Sequence, residues 1–65
     1  MIDPFKEDLG RYVIAEEYVG APTERGVITS FNPDYVFVQP DGKAYAIPFP
    51  REQLYYEEEF VARYS

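Results

Sequence analysis

The stretch GVITSFNPDYVFVQPDGKAYAI, Gly26 to Ile47, decides the fold of this 65-residue chain. Val27–Phe31 and Tyr35–Gln39 are runs of β-branched and aromatic residues of strand length. The polar Asn32-Pro33-Asp34 between them is short enough to permit only an antiparallel hairpin. Pro40-Asp41-Gly42-Lys43 then reads as a tight turn, with Pro at the corner and Gly free to take positive φ. Ala44 to Ile47 follows as a third strand of the meander.

Outward from this hairpin, Arg11 to about Tyr18 reads as a strand, and Val19 to Arg25 as a loop broken by Gly20 and Pro22, with Gly26 opening the next strand. Met1 to Leu9 reads as a short helical lead-in, with Asp3 as N-cap, Pro4 at the first helical position and Gly10 as the stop. On the other side, Pro48-Phe49-Pro50 is expected to interrupt the sheet, because two prolines remove two ladder donors. Pro50 to Leu54 has the shape of one helical turn that drops Leu54 into the core, and Tyr55-Tyr56 reads as a short closing strand. The tail Glu57 to Ser65 suits either a terminal helical turn, with Phe60 and Tyr64 on one face, or an extended arm.

Short strands with tight turns must dispose of their unpaired edges, and apolar residues on both faces of Val27–Phe31 and Tyr35–Gln39 suit strands bent around a small closed core. The expected architecture is mainly β: one domain over residues 1–65, a small SH3-like β-barrel of about five antiparallel strands. A short helical turn would lie at its N-terminus and another before its last strand. The expected core is Val13, Ile28, Val36, Val38, Ile47 and Leu54. A chain of this size buries only roughly 60% of its unfolded surface. Its 46% hydrophobic and 18% aromatic content nevertheless separates it from disordered acidic chains.

Composition removes most chemistry. There is no histidine and no cysteine, so the commonest general base, the commonest metal ligand, thiolate nucleophiles and disulfides are all missing. Ser30, Ser65, Thr23 and Thr29 have no histidine to activate them. The neighbouring carboxylates Glu16-Glu17 and Glu57–Glu59 could act as acid and base only in a cleft that a barrel this small does not offer. Asp41-Gly42 lacks the further ligands of a calcium loop and reads as a plain turn. No catalytic activity, cofactor or metal is expected. Asp3, Glu7 and Asp8 replace the basic start of a signal peptide, and no apolar run reaches the ~20 residues of a membrane span, so a cytoplasmic protein is expected.

The segment GVITSFNPDYVFVQPDGKAYAIPFPREQL, Gly26 to Leu54, resembles small phage-encoded proteins that share a G-V-I-T-S-F-N-x-x-Y-V-F-V core, a later alanine and an R-x-x-L element. The matching residues are Gly26–Asn32, Tyr35–Val38, Ala46 and Arg51–Leu54, under half of the chain. Gln39-Pro40 and Phe49-Pro50 depart from the basic residues that the resemblance leads one to expect, and the acidic Glu57-Glu58-Glu59 looks particular to this chain. The resemblance implies a phage context. A very small acidic protein of that kind is similar to the anti-CRISPR inhibitors, several of which imitate nucleic acid.

Twelve acidic against six basic side chains give a net charge of −6, which disfavours direct binding of nucleic acid. The excess serves solubility, or it presents carboxylates in place of phosphates to a basic surface. Spacing permits the second use, since alternate strand residues lie about 6.7 Å apart. The candidates are Glu57, Glu58 and Glu59, then Glu16 and Glu17, then Asp3, Glu7 and Asp8. The seven tyrosines are barrel-wall residues or interface anchors, with Tyr55 and Tyr56, beside the glutamates, the candidate anchor. The partner expected is a host protein or nucleoprotein complex with a basic surface, bound by a monomer or weak homodimer. The alternative is an accessory protein that binds another protein through its tyrosine-rich face.

Overall fold

A computed structural model describes residues 1–63. Five antiparallel strands, β1 (Tyr12–Glu16), β2 (Thr23–Phe31), β3 (Tyr35–Pro40), β4 (Ile47–Pro50) and β5 (Leu54–Tyr56), form one sheet in the order β4-β3-β2-β1-β5. A 3-10 turn at Lys6–Asp8 precedes them, another at Arg51–Gln53 joins β4 to β5, and a short helix α1 (Glu57–Ala62) follows.

That order forces curvature. β4 and β5 are opposite edges of the sheet, yet one 3-10 turn connects them. In a flat sheet four inter-strand spacings would part the edges by about 19 Å. The four residue steps from Pro50 to Leu54 reach at most about 14 Å fully extended, and about half that in 3-10 form. The sheet therefore curls until its edges approach, as a small barrel requires. A bulge between Ile28 and Ser30 helps β2 bend, and the Thr29 hydroxyl there donates to the Phe37 carbonyl at 3.1 Å.

The hairpin at Asn32–Asp34 forms as the sequence predicts. The Asn32 side chain accepts the backbone N–H of Asp34 at 2.9 Å and of Tyr35 at 2.7 Å, a side-chain-made turn. Lys43 N–H donates to the Pro40 carbonyl at 3.1 Å with Gly42 at φ 80°, so the second turn also forms where expected. Inside lie Ile2, Val13, Ala15, Ile28, Val36, Val38 and Leu54.

β1 is buried on both faces. Val13 and Ala15 enter the barrel core, whereas Ile14 and Glu16 point outward and are still only 8% and 4% exposed. The outer face of β1 and β5 is the one α1 packs against, with the Tyr55 and Phe60 rings 5.9 Å apart.

Four expectations need correction. The third strand of the meander is Ile47–Pro50 rather than Ala44–Ile47, so the two prolines lie within a strand. β4 is an edge and needs donors on one side only. Prolines two residues apart share one side, so they can leave that ladder intact. Ile47, as the first residue of this edge strand, is half-buried rather than core. The lead-in is not helical through Pro4, because Ile2 (3% exposed) and Pro4 plug the barrel and Ile2 N–H donates to the Arg51 carbonyl at 3.2 Å. Phe5, not Asp3, caps the 3-10 turn, and the Asp8 carboxylate reaches back to Phe5 N–H at 2.8 Å. β2 starts at Thr23, three residues before Gly26. The tail is helical over Glu57–Ala62. The pairing of Phe60 with Tyr64 lies outside the described residues.

Candidate functional site

Three arginines fix the acidic elements to the sheet. Arg25, on the outer face of β2, hydrogen-bonds Glu57 of α1 and Asp41 of the β3–β4 turn, the latter at 2.9 Å, with its guanidinium 3.5 Å from the centre of the Tyr12 ring. Arg11 bonds Asp8 at 2.9 Å and also Glu58, and lies 3.7 Å from the centre of the Tyr56 ring. Arg51 pairs with Asp3 at 2.6 Å and ties the N-terminal segment to the turn before β5. A planar guanidinium suits such sites, since it stacks on a ring while donating in plane to carboxylates.

The protonation shifts follow from these contacts. The Phe5 N–H and then the Arg11 guanidinium hold the Asp8 carboxyl below its usual range, despite some desolvation. Hydrogen bonds from Arg11 to Asp8 and then to Glu58 raise the arginine further, and Glu57 followed by Asp41 does the same for Arg25. Burial, then the 3.2 Å hydrogen bond to Asp8, pushes the Tyr56 phenol up.

This arrangement sorts the carboxylates that the sequence brings forward. Glu57, Glu58, Asp3 and Asp8 all hold arginines. Glu16 is not a surface group: it is buried under α1, accepts Gly20 N–H at 3.4 Å and lies 3.7 Å from Arg63. Glu7, Glu17 and Glu59 are exposed, and among the described residues their carboxylates have neither a hydrogen bond nor an ion pair. Glu24, Asp34 and Glu52 share that condition and were not singled out in the sequence, where only their exposure could have marked them. Tyr55 and Tyr56 are half-buried, the first against Phe60 and the second under Arg11. The open tyrosines are instead Tyr18 (66% exposed), Tyr45 (58%) and Tyr35 (46%).

All four arginines are therefore engaged internally, and Lys6 and Lys43 are the side-chain cations outside ion pairs among the described residues. Against them stand six unengaged carboxylates: Glu7, Glu17, Glu24, Asp34, Glu52 and Glu59. Internal pairing offsets the arginine charges where they stand and leaves six carboxylates against two lysines as the unpaired charged groups among the described residues.

No helix is long and apolar enough to cross a membrane among the described residues. Comparison with protein-family models, curated proteins and solved structures finds no match for the chain.

Proposed function

We propose that this protein is a noncatalytic acidic binding module. In this reading it is a phage-type inhibitor of the anti-CRISPR kind, working in the host cytoplasm. It occupies a basic, nucleic-acid-binding surface of a host defence complex and blocks that surface by charge mimicry. The observation that carries the reading is the sorting of charge: four arginines turned onto internal carboxylates, and six acidic groups left without partners among the described residues. Carboxylates held on a rigid barrel present negative charge at fixed spacing, which steers association with a basic partner and makes it salt-sensitive.

The test compares the wild type with one neutralised variant in capture of a partner from host lysate. Glu7, Glu17, Glu24, Glu52 and Glu59 to Gln, with Asp34→Asn, removes the unengaged set and is expected to abolish salt-eluted capture while the melting temperature holds. Retained capture by that variant contradicts the proposal. Exposed Tyr18, Tyr35 and Tyr45 support the second reading, a protein-binding adaptor. It predicts capture that salt barely affects and that Tyr18→Ala or Tyr45→Ala removes.

A further inference from the structure

A groove of about 330 Å³ opens on the surface, lined by Ala15 and Glu17 at the end of β1, Pro22 and Glu24 at the start of β2, Pro48, Phe49 and Pro50 of β4, and Gln53. Ala15 is buried and Phe49 half-buried against the core, so the groove sets apolar surface beside polar side chains. Prolines contribute stiff walls without N–H donors. Glu17 and Glu24 are exposed, and neither carboxylate has an ion pair or hydrogen bond among the described residues.

The chemistry of this groove already occurs twice in the molecule, in filled form. Arg11 rests on the Tyr56 ring between Asp8 and Glu58, and Arg25 rests on the Tyr12 ring between Glu57 and Asp41. Each unit is one aromatic ring, two carboxylates and one guanidinium. The groove offers one aromatic ring, Phe49, and two carboxylates, Glu17 and Glu24, with no arginine of this chain among its lining residues. Two unneutralised carboxylates disfavour an anion there, and the proline and phenylalanine surface suits the apolar stem of a long cationic side chain.

We infer that this groove receives an arginine side chain from a basic protein segment of the partner. The stem lies along Pro22, Pro48 and Pro50, the guanidinium plane meets Phe49, and its N–H groups donate to Glu17 and Glu24. Arginine fits better than lysine, because only the guanidinium stacks and donates to two acids at once. The inference rests on the acidic-module reading and names the point at which the partner's basic surface is anchored.

The experiment titrates 15N-labelled protein with a hexa-arginine peptide at low salt and follows backbone amide shifts. Shifts are expected to centre on Ala15, Glu17, Glu24, Phe49 and Gln53. The E17Q/E24Q variant should bind about tenfold more weakly, while E7Q/E52Q, which loses equal charge from the acidic surface outside the groove, should weaken binding by no more than about twofold, the share owed to net charge alone. Both variants should melt with the wild type, since none of these four groups holds an internal partner among the described residues. Equal weakening by the two variants, or shifts spread over the whole surface, overturns the groove and leaves the acidic module standing. No binding to the peptide at low salt overturns both. Hexa-lysine binding as tightly as hexa-arginine overturns the guanidinium assignment.

Discussion

Gly26→Ala is the substitution whose sign the fold predicts against ordinary expectation. Gly26 lies in mid-strand, paired with Val13 of β1 on one side and Pro40 of β3 on the other. It is absent from the positive-φ glycines, so alanine meets no backbone strain there. In an open site such a change gains about 0.4–1 kcal/mol by stiffening the unfolded chain. Here a methyl group would sit 2.5 Å from the Gln39 carbonyl oxygen, 2.7 Å from Val38 Cγ1 and 2.9 Å from the Gln39 carbonyl carbon. An ordinary C···O contact is about 3.3 Å or longer, so β2 and β3 must part by nearly an ångström where the ladder holds them. Overpacking of this kind costs about 1–3 kcal/mol, and a backbone obstacle places it in the upper part of that range. A domain of this length is worth roughly 3–10 kcal/mol in all. The expected fall in melting temperature is roughly 10–20 °C, read by far-UV circular dichroism and checked by urea unfolding. An alanine variant that melts at or above the wild type would refute the close three-strand packing.

Leu54→Ala empties a fully buried position in the core and should cost about 2–5 kcal/mol, enough to unfold much of the protein in a urea titration. Charge reversal at Glu57 and Glu58 should release α1 from Arg25 and Arg11, seen as faster hydrogen exchange at Ile14 and Tyr55 while the amides of β2 and β3 stay protected. Asp8 has a folded pKa below its usual 3.8, so its stabilisation is present above that value and lost as pH falls through the folded pKa. Asp8→Asn should flatten the acid limb of the stability curve. Tyr56 has a folded pKa raised above 10.0, so its contribution is full below pH 10 and lost as pH rises through the folded value; Tyr56→Phe should flatten the alkaline limb.

The hairpin and its turns were legible because their signals are local: β-branched runs, an Asn-Pro-Asp corner and a Pro-Asp-Gly turn. Leu54 was legible because a proline-led turn aims one residue inward. β4 was misread because the rule against prolines in strands applies to both sides of an interior strand, and the sequence does not announce an edge. Ile2 and Glu16 were missed because their burial depends on distant elements, the turn before β5 for one and α1 for the other. The candidate site was legible only as an excess of acid. Which carboxylates are free depends on Arg11, Arg25 and Arg51, whose partners lie up to 48 residues away in the chain. The glutamates that look most prominent, Glu57 and Glu58, hold α1 in place, and the quieter Glu17 and Glu24 are exposed at the groove.

Competition at constant ionic strength tests the central claim most directly. With the captured partner bound to immobilised protein, duplex DNA or single-stranded RNA is added while total ionic strength is held fixed. The charge-mimicry account predicts that the nucleic acid displaces the partner in proportion to its own affinity for the basic surface. Undiminished binding at saturating nucleic acid would contradict it.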